Sequence, residues 1–241
     1  MKRLVIAYHC YAYGEMYDLL IGMQFVRLLS SKLLDACYKL HIGIVDDENK
    51  NPHPGIEWIV DWFKNSRYPH KVESEIYPDN QELRRTLRWI RDYAANNPDD
   101  YILFFHSKGV TNLKKEGIVY EAVADWRRYM EYFVIDRWKD CIAKLDEGYD
   151  ACGVLWNKDT PLGYRPHFSG AFYWAKGSYI NTLDHSYLEI DWRFGGELWI
   201  GTNPNANVYE FHNSRLNDKV PLMTGASHYY IRYPIENYFV K

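Results

Sequence analysis

Four consecutive residues, His106-Ser107-Lys108-Gly109, follow the apolar run Tyr101-Ile102-Leu103-Phe104-Phe105. Together they offer an imidazole, a hydroxyl, a fixed positive charge and an unhindered backbone. Such a group suits an anion: Lys108 can neutralise a diphosphate, while Ser107 and the Gly109 amide can donate to its oxygens. Further along, Gly195-Gly196-Glu197 places a carboxylate after two residues whose missing side chains let backbone approach a substrate closely. A lone, partly desolvated carboxylate is suited to deprotonating an acceptor hydroxyl. Glu197 equally fits an acid in the first turn of a helix, where the dipole favours it. Ser169-Gly170 follows a turn-rich stretch, and His9, His167 and His212 stand at predicted strand ends, each fit to bind a ligand or simply to close a strand. By the same token, His106 and Ser107 could merely end their strand, leaving Lys108 as a solvated loop charge.

Several chemistries lack their signatures. No G-x-x-x-x-G-K-[ST] or G-x-G-x-x-G is present, which speaks against phosphate-loop NTPases and Rossmann dehydrogenases. There is no G-x-S-x-G elbow and no H-E-x-x-H. The formal net charge of −3 and the sequence pI of about 6.3 provide no footprint for a nucleic-acid backbone. Cys10, Cys37, Cys141 and Cys152 form no C-x-x-C pair, so neither zinc nor a redox motif is indicated, and a reducing cytoplasm fits best. The N-terminal apolar run is cut short by Tyr8, His9 and Tyr11 before it could serve as a signal peptide. No stretch reaches the ~18 apolar residues of a membrane span. The 22 Tyr and 9 Trp are more unusual: such rings can stack on sugars or bases while presenting a polar edge, although core packing accounts for most of them.

The elements that must position these groups follow from hydrophobic periodicity. A continuous apolar run bounded by Pro98 and Gly109 predicts a central strand covered on both faces, as in parallel sheets. Ligands of open α/β sheets bind beyond the carboxyl ends of such strands. Leu4 to Tyr8 predicts a first strand followed by a loop from His9 to Gly14. Met16 to Lys39 predicts a helix broken near Ser30-Ser31, and Leu40 to Val45 a second strand. Ile56 to Phe63 reads as a short helix, and the alternation over Val72 to Tyr77 as an edge or half-buried strand. Asp79 and Glu82 have capping-box spacing ahead of a helix carrying Leu83, Leu87, Ile90 and Ala94. The longest helical pattern runs from Trp126 to Leu145, with Gly148 placed as its cap. Strands follow at Asp150 to Trp156, Ala171 to Ala175 and Val208 to Phe211. Without a linker or internal repeat, residues 1–241 read as one domain.

Three segments together resemble a known family. These are Tyr8-His9-Cys10-Tyr11, Ile102 to Thr111, and Asp125-Trp126-Arg127-Arg128-Tyr129-Met130 with Cys152 to Trp156 and His167 to Ala175. They resemble glycosyltransferases of bacterial glycan loci and the N-terminal rhamnosyltransferase domain of the chlorovirus capsid-glycan enzyme. The resemblance spans about Leu4 to Tyr238 and implies a GT-A-like α/β fold with a mixed, mostly parallel central sheet flanked by helices. It also implies a UDP- or dTDP-sugar donor, a glycan acceptor and transfer with inversion, of rhamnose in the viral member. Carried over by position, it puts Tyr8, His9 and Tyr11 in the nucleotide pocket and His106, Ser107 and Lys108 at the diphosphate. Ser169 and Gly170 go to the sugar, His212 joins the donor site, and Glu197 becomes the base. GT-A enzymes usually end the strand at His106 in D-x-D, whose carboxylates hold Mn²⁺ or Mg²⁺. Here His106-Ser107-Lys108 stands instead, so either ion remains an open possibility and Lys108 could itself neutralise the charge. The rival expectation is a non-catalytic carbohydrate- or nucleotide-sugar-binding module of the same fold.

Overall fold

A computed structural model of the chain describes residues 2–14, 17–46, 57–65, 67–79, 81, 83–113, 117–158, 164–216 and 227–239. The first apolar run is strand β1 (Leu4–Tyr11), which continues through His9 and Tyr11, where the sequence predicted a loop. Parallel pairing with one neighbour as far as Tyr11, and with the other as far as His9, keeps these extra residues extended. The predicted helix is broken where Ser30-Ser31 suggested, into α1 (Tyr17–Ser30) and α2 (Leu33–Ala36), with Lys32 at φ 64° between them. Strand β2 (Lys39–Val45), helix α3 (Glu57–Lys64) and edge strand β3 (Val72–Tyr77) follow.

Helix α4 (Arg84–Asn96) leads into β4 (Tyr101–His106). Glu82 of the predicted capping box lies outside the described residues. Asp79 instead accepts from the Gln81 amide at 3.0 Å and from Arg85 Nε at 2.7 Å. The long helical pattern divides into α5 (Ile118–Glu131), a π turn (Tyr132–Asp136) and α6 (Trp138–Asp146). Strand β5 (Ala151–Gly153) is followed by the small ladder of β6 (Trp156–Asn157) and β7 (His167–Phe168). Then come β8 (Tyr173–Lys176), α7 (Gly177–Ile180), α8 (Gly195–Trp199), β9 (Val208–Glu210) and α9 (Ser227–Tyr230).

The fold is α/β. Its main sheet has seven strands in the order β3-β2-β1-β4-β8-β5-β9, with only β8 antiparallel to its neighbours. Helices cover both faces, and strand alternation decides which residue meets which face. Ile6, Tyr8 and Cys10 point to a core shared with α1, α3 and α5. Val5 and Ala7 point to a second core with Leu87, Ile90 and Ala94 of α4. The four cysteines are buried and free. Among the described residues no helix is long and apolar enough to cross a membrane. Near the end of the chain Tyr238 packs inward, 4% exposed against Tyr129, Tyr132 and Phe133, whereas Tyr230 and Phe239 are exposed.

Candidate functional site

The winding of the sheet locates the site. From β1 the chain moves outward through β2 to β3 and then returns across the opposite face, by α4, to place β4 on the other side of β1. The carboxyl ends of β1 and β4 therefore flank a topological switch point, where α/β sheets open a crevice. The register sets His9 directly beside His106 there. A cleft of about 200 Å³ opens at this point, lined by His9, Tyr11, His106, Ser107, Lys108, Gly170, Glu197 and Arg193 among others.

His9 is buried and His106 half-buried, and both imidazoles are held toward the neutral form. His9 Nδ1 lies 2.9 Å from Thr86 Oγ1, and burial, aided by His41, pushes its pKa down to about 3. Burial also drives the pKa of His106 well below the usual histidine value, with the Lys108 ammonium acting in the same direction. His106 Nε2 is 2.9 Å from the Gly170 carbonyl oxygen, which can only accept. The proton is therefore on Nε2, and Nδ1 is left as an acceptor. Ser107 is held at both ends, its amide donating to the His9 carbonyl at 3.0 Å and its Oγ accepting from the Tyr11 amide at 2.8 Å.

Side chains from two helices fix the backbone of this strand end. Gln24 of α1 donates to the His106 carbonyl at 3.1 Å and to Glu131 at 2.7 Å, while Tyr8 donates to Gln24 at 2.7 Å. Arg127 of α5 donates to the Lys108 carbonyl at 3.1 Å. Gln24, Arg127 and Glu131 are all buried, so the network satisfies groups that would otherwise be costly to leave unpaired. The Lys108 ammonium lies 3.8 Å from the centre of the Trp126 ring and 5.4 Å from that of Tyr229.

The opposite wall turns on Gly170. Ser169 and Gly170 form the middle of a β-turn closed by the Ala171 amide donating to the Phe168 carbonyl at 2.9 Å, with Gly170 at φ 91° as a type II turn requires. A Cβ at Gly170 would stand 2.5 Å from Met130 Sδ. Ala171 also adopts a left-handed φ of 56°, a costly conformation for a residue with a side chain. The Gly170 amide donates to Glu197 Oε1 at 2.8 Å. Glu197 does stand in the first turn of α8, and its carboxylate faces the cleft while so held. Among the described residues no hydrogen bond engages Oε2.

Of the residues singled out in the sequence, His9, Tyr11, His106, Ser107, Lys108, Gly170 and Glu197 line the cleft, while Tyr8, Ser169 and His212 are not among its lining. Tyr8 has the opposite parity to His9 and stacks on Phe105 at 4.5 Å beneath the sheet's other face. Ser169 Oγ accepts from the Asn157 amide at 2.5 Å. His212 follows the edge strand β9, where the Tyr129 hydroxyl lies 2.9 Å from both its Nδ1 and its carbonyl oxygen. His167 Nδ1 donates to the Arg165 carbonyl at 3.0 Å. The sequence reading missed Arg193, Asn112 and Tyr229; the only available signal was that Arg193 stands one turn ahead of Glu197.

Gly195 and Gly196 serve packing rather than substrate approach. A Cβ on Gly195 would come 2.6 Å from the Tyr187 carbonyl oxygen, and one on Gly196 would come 3.1 Å from Leu87 Cδ1. A divalent ion does not fit this strand end. His106 Nε2 and Ser107 Oγ are engaged within the protein, Lys108 is a cation, and no group of three or more His, Cys, Asp or Glu among the described residues could hold a metal.

Residues 55–188 match the family described as Domain of unknown function (DUF8361), and the chain belongs to that family. No curated protein matches it.

Proposed function

We propose that the chain is an inverting glycosyltransferase that moves a sugar from a nucleotide-sugar donor to a glycan acceptor. One observation carries this reading: at the switch point of the sheet, a carboxylate held through one oxygen by the Gly170 amide shares a cleft with an ammonium and two neutral imidazoles. Glu197 Oε2 takes the proton from an acceptor hydroxyl as that oxygen bonds to the anomeric carbon. The bond from the anomeric carbon to the phosphate oxygen breaks, its electron pair leaves with the diphosphate, and Lys108 meets the new charge. Attack on the face opposite the leaving group inverts the centre. The neutral imidazoles add hydrogen-bonding capacity without further charge, His106 Nδ1 being able to accept from a sugar hydroxyl.

A panel of UDP- and dTDP-sugars tests this by thermal shift and by turnover. A donor at 100 times its dissociation constant stabilises the fold by about 2.7 kcal/mol. Glu197→Gln keeps an oxygen for the Gly170 amide and is expected to preserve that shift while lowering turnover ~10²-fold or more. Unchanged turnover removes Glu197 from the role of base. A donor-induced shift without turnover toward any glycan acceptor identifies a binding module instead, and no shift with any donor refutes the donor class.

A further inference from the structure

The cleft has a second cation. Arg193 lines it from the segment preceding α8, whereas Lys108 enters from the end of β4. The segment carrying Arg193 is pinned to α4 by charge. Arg84 pairs with Asp191 at 2.9 Å and also donates to the Ile190 carbonyl, while Arg88 and Arg91 pair with Glu189 at 3.2 and 3.0 Å. Both acids of the segment are thus used by arginines of α4. Tyr164, Trp192 and Phe194 brace it further, with ring centres 5.7 to 5.9 Å apart. Arg193 is left exposed, with no carboxylate partner among the described residues and only the Phe194 ring 5.8 Å from its Cζ.

A supported segment that spends its own acids elsewhere and leaves one guanidinium at a cleft is suited to holding an anion. The planar fork of Arg binds two oxygens of a phosphoryl group, and Lys108 adds a point charge from another wall. We infer that Arg193 and Lys108 form a two-cation clamp for two adjacent phosphoryl groups, which neutralises their charge at a strand end whose residues do not suit a divalent ion. The clamp rests on the reading above for the identity of the ligand, namely the diphosphate of a nucleotide donor, but its chemistry can be tested without a sugar.

The experiment is calorimetric titration of the whole chain with inorganic pyrophosphate and with inorganic phosphate in the presence of EDTA. Wild type should bind pyrophosphate at least 10-fold more tightly than phosphate, and the affinity should fall as salt rises. Arg193→Ala should weaken pyrophosphate binding 10-fold or more at an unchanged melting temperature, and Arg193→Lys should restore only part of it. Equal binding by Arg193→Ala, or pyrophosphate binding by wild type only when Mg²⁺ is added, overturns the clamp. The two proposals fail separately. Arg193-dependent pyrophosphate binding with no sugar transferred retains the clamp and removes the transferase. Transfer by Arg193→Ala with wild-type donor affinity removes the clamp and retains the transferase.

Discussion

Lys108 holds its ammonium over Trp126 at 3.8 Å, a cation–π contact worth about 0.5–2 kcal/mol. An anion in the cleft competes with the ring for that charge, so Trp126 emission should change on pyrophosphate binding in wild type and stay constant in Lys108→Met. Under the proposed mechanism Lys108→Met also removes charge from the leaving group, and turnover should drop ~10²-fold in a steady-state assay. Turnover by wild type should survive EDTA; its complete loss, restored by Mn²⁺, would show a metal where Lys108 is assigned. The position of Lys108 directly after a buried strand was legible in the sequence, which left it open as a site cation or a solvated loop charge. That the ammonium rests on Trp126 was not, since the two residues are brought together only by the docking of α5.

At the scale of elements, glycine and parity decide what the strands and turns deliver. The doublet before Glu197 stood out in the sequence, but its purpose depended on what the glycines touch. Gly195 faces the Tyr187 carbonyl, backbone that cannot swing away, whereas Gly196 faces the end of the Leu87 side chain, which can. Gly195→Ala should therefore cost about 1–3 kcal/mol by thermal melting and displace α8 with Glu197, and Gly196→Ala should cost clearly less. Equal effects would contradict this packing account. Parity explains the split within Tyr8-His9-Cys10-Tyr11. Extended backbone sends alternate residues to opposite faces, and only His9 and Tyr11 reach the cleft. The sequence placed these residues at the carboxyl end of the first strand; it did not contain the fact that Leu83, just ahead of α4, and Val123 of α5 line the cleft while α1 does not.

The whole molecule keeps several histidines neutral. Burial lowers the pKa of His9 to about 3 and of His228 to about 4, and lowers that of His106 well below its ordinary value. Unfolding returns each to about 6.5, so at lower pH the unfolded chain binds protons that the folded one does not. Their contribution is fully present above about pH 6.5 and is lost as pH falls toward the folded values. The unfolding free energy from urea titration should accordingly decline between pH 7 and pH 4, with a slope approaching ~1.4 kcal/mol per pH unit for each histidine involved. Substituting His228 by Gln should flatten that decline, and an unaltered slope would exclude it as a contributor. The sequence by itself determined the alternation of strands and helices, the buried β4 ending in polar groups, and the exclusion of several nucleotide-binding signatures, because periodicity and short motifs act over a few residues. Only the tertiary structure decided the order β3-β2-β1-β4, the meeting of Glu197 with the Gly170 amide, and the release of Arg193 from acids claimed by α4. Those depend on contacts between residues far apart in the chain, which helix and strand packing selects and local pattern does not encode.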